Sequence, residues 1–249
     1  MSYLKQAVRL VDVMTDKGAL REMWSSKYFS LASYKVNQAL YSYQPIIKTI
    51  IDAGANQGQF ALAAAHRFPM ARIYSFEPVP DVFSQLQVNS RSVSQIQAFN
   101  YALGSITGQL SFYRNAYSHV SSALVIHHDN TNPNYDQQAS KEIKVKVYTL
   151  DDLFPTLQIE SPVLLKMDVQ GFEKEVLLGS KSILSQIEYV LMEASFVPLY
   201  NKQPLFSELH SYMNTLGYDL VAPLDFNVGK QSKIIEMDVL YQRLSGINL

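Results

Sequence analysis

The stretch that most constrains this chain is Thr49-Ile50-Ile51-Asp52-Ala53-Gly54-Ala55-Asn56-Gln57-Gly58. A short apolar run ends in an acid, turns through two glycines and opens onto the Ala-rich stretch Gln59 to Arg67. This predicts a strand that runs into a helix N-terminus, where bare backbone and free N–H groups let a ligand approach. The pattern then repeats. Arg72 to Phe76 reads as a strand ending at Glu77-Pro78, Pro80 to Asn89 as a helix, and Ile96 to Tyr101 as a third strand. Strand, helix, strand at this pitch predicts an α/β fold with a parallel sheet.

The middle of the chain reads differently. Leu110 to Tyr113 and Lys144 to Tyr148 alternate polar and apolar residues, which fits half-exposed antiparallel strands. Lys144 and Lys146 then share one face, read as a solvated face or a charged sheet edge. Between them, His119 to Gln138 is polar and aperiodic and carries His127, His128, Asn130, Asn132, Pro133 and Asn134. A stretch of that kind inside a domain predicts a functional or mobile loop. The α/β pattern resumes with Val163 to Asp168 and Tyr189 to Glu193 as strands, Phe172 to Leu178 and Phe206 to Leu216 as helices, and Asp238 to Tyr241 as a late strand. Gly179 is expected as a helix C-terminal glycine. Residues 1–44 read as one or two helices forming an N-terminal extension that caps the domain or covers a pocket. Residues 45–249 read as the domain itself.

Composition excludes several functions. The chain of 249 residues has no Cys, so it has no disulfides, no thiolate metal site and no Cys nucleophile. Its net charge of -1 lacks the basic excess of a nucleic-acid binder. No apolar run approaches the roughly 18 residues of a membrane span. The start lacks a signal-peptide core, so a cytoplasmic chain is expected.

The first loop has the shape of a nucleotide site. A dinucleotide site wants three glycines in G-x-G-x-x-G with pyrophosphate on the helix N-terminus. Here there are only Gly54 and Gly58, and the acid Asp52 precedes them. An acid suits a cationic ligand, such as the amino-acid end of S-adenosylmethionine, better than a pyrophosphate. Glu77 lies 19 positions past Gly58, at the end of the second strand, where a carboxylate can accept from vicinal ribose hydroxyls. The base attached to that ribose would meet the third strand's end. The expected cofactor contacts are therefore Asp52, Gly54, Ala55, Asn56, Gly58, Glu77, Pro78, Asn100, Tyr101 and Ala102.

The run Ile51 to Phe60, followed by Phe76-Glu77-Pro78-Val79-Pro80, resembles the FkbM-type methyltransferases. So do Thr149-Leu150-Asp151-Asp152-Leu153, the stretch Leu165 to Glu173, Val176-Leu177-Leu178-Gly179, and Met192-Glu193. The resemblance runs from about residue 48 to 242, with the motifs in family order. It implies a Rossmann-like class I methyltransferase fold, a mostly parallel twisted sheet with helices on both faces and a late antiparallel strand. It also implies S-adenosylmethionine as cofactor and O-methylation of a hydroxyl on a sugar, glycan or natural product. One residue departs from the family: Gln170 stands where a Glu is common.

Transfer to an alkyl hydroxyl calls for a base. Asp168, at the end of its strand, is the first candidate, Glu193 the second and His119 the third. The competing readings are that Asp168 caps the next helix, that Glu193 pairs with Lys166 or another buried cation, and that His119 only lines its loop. Asp168 and Glu193 could also offer oxygens to Mg²⁺, but two acids do not define a site, and no metal is assigned. Two other functions stay open: a nicotinamide-dependent oxidoreductase, and a non-catalytic module that keeps the nucleotide fold. The expected partner is a small-molecule or glycan hydroxyl acceptor, with no nucleic acid and no membrane span, and a homo-oligomer stays an open reading.

Overall fold

The strands that read as apolar throughout are covered on both faces. The computed structural model describes residues 30–128, 135–229 and 232–244. Any helix before residue 30, and Asn130, Asn132, Pro133 and Asn134, lie outside the described residues. In chain order the main elements are α1 (Leu31–Tyr43), β1 (Thr49–Ala53), α2 (Gln59–Arg67), β2 (Arg72–Phe76), α3 (Pro80–Ser90) and β3 (Ile96–Phe99). Then come β4 (Ala102–Leu103), β5 (Gly108–Asn115), β6 (Ser140–Tyr148), α4 (Leu150–Leu153), β7 (Val163–Met167) and α5 (Glu173–Leu178). The chain continues with β8 (Tyr189–Ser195), α6 (Phe206–Thr215), β9 (Tyr218–Val228) and β10 (Ile234–Arg243).

Among the described residues, seven strands form one sheet in the order β3-β2-β1-β7-β8-β10-β9. Pairings from β3 to β8 are parallel, and β10 runs antiparallel to both β8 and β9. This is the expected α/β class with its late antiparallel strand. Side chains alternate across the sheet. Ile51, Leu165 and Val190 enter a core with Val176 and Leu177 of α5 and Leu209 and Met213 of α6. Ile50, Leu164 and Leu191 enter the opposite core with Val36 and Leu40 of α1 and Phe60 and Ala64 of α2. Each such Leu or Ile contributes about 1.5–3 kcal/mol when fully buried. The part of the N-terminal extension that is described thus belongs to the core of one face.

A second, three-stranded sheet has the order β4-β6-β5. Val145 and Val147 are buried against Val79, Val82 and Phe112, while Lys144 and Lys146 are exposed. The lysines therefore mark a solvated face; β6 is a central strand, so they do not guard an edge. The third strand ends at Phe99, two residues before its expected end.

The segment after β5 is more ordered than its aperiodic sequence suggested. It holds a 3-10 turn at Ser118–Val120 and two isolated bridges, Tyr113 with Ser122 and Ile126 with Tyr200. Gly179 ends α5 without the left-handed conformation, at φ -86°. It is glycine because a Cβ there would lie 1.9 Å from the Gly104 carbonyl oxygen.

Candidate functional site

The strand order reverses between β1 and β7, and open α/β sheets place their ligands outside the strand C-termini at such a point. A cavity of about 460 Å³ lies there, bordered by Gly54, Asn56, Glu77, Asp168, Gln170 and Glu193. A second lobe of about 220 Å³ continues from it past Ala55, Lys166 and Asp238 to Ser30 and Ser33, at the start of α1. Gly54, Asn56, His119, Asp168 and Glu193 border both lobes.

The loop after β1 is closed on itself. Gly54 N–H and Ala55 N–H both donate to the Phe76 carbonyl at 3.0 Å. Asn56 N–H donates to Glu77 Oε2 at 3.0 Å, Gln57 N–H to Asn56 Oδ1 at 2.8 Å and Gly58 N–H to the Ala55 carbonyl at 2.9 Å. The five N–H groups from 54 to 58 are therefore spent within the protein. The loop offers shape, and its donors are not free to hold a pyrophosphate. Gly54 has φ +76°, and a Cβ built on it would lie 1.9 Å from the Asp168 carbonyl oxygen. A side chain at 54 collides with the end of β7 before it reaches any ligand, so the glycine is required by a close approach of protein backbone.

Asp52 does not border either lobe. It is fully buried, and Lys166 Nζ lies 3.0 Å from its Oδ1. The same ammonium donates to the Gly54 carbonyl at 3.2 Å and lies 3.9 Å from Asp168 Oδ2. Burial alone would lower the Lys166 pKa, but the Asp52 and Asp168 carboxylates outweigh it and hold the ammonium above its ordinary range. The acid expected to meet a cationic ligand instead meets an internal lysine and fixes the loop. Lys166 thus pairs with Asp52 and Asp168, and the competing reading of Glu193 as its partner is not borne out.

Glu77 is 6% exposed and borders the larger lobe. Its Oε1 accepts from Val79 N–H at 2.9 Å and its Oε2 from Asn56 N–H. Burial pushes its pKa up to about 7, and the two N–H donors only partly offset this. A carboxylate has about four lone-pair sites, so capacity for further donors remains. Pro78 and Ala102 border the same lobe, with Phe76 and Phe112. Asn100 and Tyr101 do not. Asn100 Nδ2 donates to the carbonyls of Glu77 and Pro78, at 3.0 and 3.1 Å, and so braces the strand end. Tyr101 turns into an aromatic cluster with Phe76, Phe99 and Tyr148.

Asp168 is more accessible than Asp52 or Glu77, with a side chain 39% exposed. It does not cap the following helix: the Val169 and Gly171 N–H groups go to Glu173 Oε1 instead. Gln170 Nε2 donates to Asp168 Oδ1 at 2.7 Å and to Glu193 Oε2 at 2.8 Å. Glu193 is pushed well above the usual carboxylate range by burial and then by the Asp168 charge. The same two causes raise Glu236 and Asp238 on β10 to about 7. His119 sits across the cleft, its Nδ1 3.4 Å from Asn56 Nδ2, and Ser118 Oγ donates to Asn56 Oδ1 at 3.1 Å. His127 and His128 lie beside each other with ring centroids 4.6 Å apart and border neither lobe.

Sequence reasoning did not single out Glu236, Asn227, Tyr135 or Tyr200. The first two border the cavity from the β9–β10 hairpin. Tyr200 reaches the site through Gln170, its hydroxyl donating to Oε1 at 2.8 Å. The usable signal was Asp238, a charged residue within a late apolar strand.

A cavity at the reversal of a mostly parallel sheet, with a glycine turn on one side and an acid ending the next strand, lies where open α/β proteins take their ligands. The chain belongs to the FkbM methyltransferase family: the model of the methyltransferase FkbM domain matches residues 52–220. The chain is similar to the hexuronic acid methyltransferase AglP of Haloferax volcanii, with 27% identity over 57% of this chain and 54% of that protein. It thus spans about half the length of that relative. It is 30% identical to methyltransferase 1 of Beauveria bassiana, over 68% of this chain and 71% of that protein. It is 25% identical to the 2-O-methyltransferase NoeI of Sinorhizobium fredii, over 81% of this chain and 84% of that protein.

Proposed function

We propose that the chain transfers a methyl group from S-adenosylmethionine to a hydroxyl of a sugar, glycan or related natural product. The observation that carries this reading is that Glu77 and Asp168, on opposite sides of the glycine loop, border one cavity. The names of two relatives, a hexuronic acid methyltransferase and a 2-O-methyltransferase, support a sugar hydroxyl as acceptor.

The residues present suit this cofactor. Glu77 would accept the ribose hydroxyls, and Pro78, Ala102 and Phe112 would flank the attached base. The carboxylates of Asp168, Glu193 and Glu236 suit a cationic sulfonium, and the spent N–H groups of the loop disfavour a dinucleotide. When bound, S-adenosylmethionine supplies an electrophilic methyl group on a leaving thioether. Asp168 would take the hydroxyl proton of the acceptor at its carboxylate. Glu193 lies deeper and is held with Asp168 through Gln170. His119, with Ser118, closes the cleft over Asn56.

Calorimetry with S-adenosylhomocysteine and with NAD tests the cofactor, and transfer of labelled methyl to a panel of neutral, amino and acidic sugars tests the acceptor. Binding of the thioether and labelling of a sugar are expected. Binding of NAD with no binding of the thioether would overturn the reading.

A further inference from the structure

Gln170 occupies an unusual position. It lies just past β7 with φ +54°, a left-handed conformation that residues other than glycine adopt at a cost. The turn aims its side chain into the cleft, where every hydrogen-bonding group of the amide is used. Both Nε2 protons go to carboxylates, one to Asp168 and one to Glu193, and Oε1 accepts from Tyr200. The chemistry fixes this orientation. Turned over, the amide would set its carbonyl oxygen against two carboxylate oxygens; the Tyr200 hydroxyl, shared between the Val120 carbonyl at 3.1 Å and Oε1 at 2.8 Å, lies closer to Oε1. The main chain is anchored as well: Ser122 Oγ donates to the Gln170 carbonyl at 2.6 Å. The clamp is thereby tied to the segment that roofs the cavity.

We propose that Gln170 is a positioning residue, its amide held by Tyr200 so that it aims the Asp168 carboxylate at the acceptor and prevents Asp168 and Glu193 from sharing a proton. The inference rests on the methyl-transfer reading above. Two carboxylates facing one site without a donor between them repel, and the pair relieves this by retaining a proton. A neutral amide with two donors lessens that need, since hydrogen bonds to the charged form favour it, although burial and the Asp168 charge still hold Glu193 above the usual carboxylate range.

The surroundings make the demand severe. Lys166 and, behind it, Asp52 face the pair from β7 and β1; Glu236 and Asp238 face it from β10, with Asp225 next to them on β9. Glu173 lies behind the turn at the start of α5. Tyr135 and Tyr200 lie in the roof, and His119 faces the pair across the cleft. The lysine is the one cation in this set apart from any charge on His119, and it sits closer to Asp52 than to Asp168. It only partly offsets the excess of acid.

Gln170→Met keeps the length of the side chain and removes both donors; Tyr200→Phe keeps the amide and removes what orients it. Saturated turnover against pH, S-adenosylhomocysteine affinity, and titration of the ¹³C-labelled Glu193 carboxyl in ligand-free protein would be measured for each. In Gln170→Met, turnover at neutral pH should fall at least about tenfold. The rising limb of its pH profile should move up by about one unit, so that activity recovers in alkali. Thioether affinity should stay within about threefold, and Glu193 should titrate higher than in the parent. Tyr200→Phe should shift both readouts in the same direction by less, and it decides the matter if Gln170→Met fails to fold. An equal loss of turnover at every pH, or an unmoved Glu193 titration, would overturn the proposal. If the parent transferred no methyl group to any acceptor, the function reading would fail, and the carboxyl titration would still decide the clamp.

Discussion

The glycine loop at 54–58 and the carboxylates above β7, β8 and β10 face the same cavity but are held in opposite ways. In the loop every N–H from Gly54 to Gly58 has a protein partner, and the backbone is pinned against the ends of β2 and β7. Its shape is complete before any ligand arrives. The other half is built from side chains. Asp168, Glu193, Glu236 and Asp238 crowd together, and burial raises the last three above the usual carboxylate range. A single amide joins two of them. One region supplies a rigid, electrically quiet seat; the other stores unfavourable charge that a cationic ligand or a proton from the acceptor would relieve. Binding and proton transfer should therefore be separable by mutation.

The largest effect that would sharpen this contrast is expected from the proposed base. Asp168→Asn should cut turnover at saturating cofactor and acceptor by about 10²–10⁴, read by labelled-methyl transfer. Turnover within threefold of the parent would move the base to Glu193 or His119.

On the other side, Gly54→Ala should act on the fold. The added Cβ meets the Asp168 carbonyl, and overpacking of that kind costs roughly 1–3 kcal/mol, with about 1–2 kcal/mol more for a left-handed non-glycine residue. Chemical denaturation should report the loss. Parent-like stability would mean that the loop is less firmly pinned than its contacts indicate.

A smaller, pH-dependent effect is expected at Glu77. Burial raises its pKa from 4.5 to about 7. Because the folded value is the higher one, protonation favours the fold. The contribution of this group is full below about 4.5 and is lost as pH rises through about 7. Ribose hydroxyls donate to the ionised form, so affinity for S-adenosylhomocysteine should rise from pH 6 to pH 8. Glu77→Gln should flatten that rise; a slope unchanged in the variant would remove Glu77 from the ribose site. The smallest effect is expected at His119, which touches the loop only through Asn56 at 3.4 Å. His119→Ala should change thioether affinity by no more than a few-fold, and a loss above tenfold would make the roof a main part of the seat.

The two regions also differ in how far they were legible in the sequence. The strand–turn–helix of β1 and α2 and the acid ending β2 are local, and local patterning found them. The same patterning found β7 and β8, whose mostly apolar runs are explained by helices on both faces. Asp52 was misplaced because sequence position does not tell whether a strand-end acid faces a cavity or a buried lysine 114 positions away. The β9 strand was missed. Pro223 and the run Asp225-Phe226-Asn227 interrupt its apolar spacing, as befits an edge strand paired through register shifts. With β9 unseen, Glu236 and Asn227 had no address. Gln170 stood out in the sequence, but its role depends on Glu193 and Tyr200, which only the fold brings to it.

The most direct test of the division between seat and carboxylates is a single calorimetric series in which parent, Glu77→Gln and Asp168→Asn are titrated with S-adenosylhomocysteine at about pH 8, above the Glu77 value of about 7. Loss of a hydrogen-bond pair to a charged group, at roughly 1.5–3 kcal/mol per bond, should weaken binding to Glu77→Gln by at least about tenfold. Asp168→Asn should stay within a few-fold of the parent. The reverse pattern, with the thioether lost from Asp168→Asn and held normally by Glu77→Gln, would contradict the account.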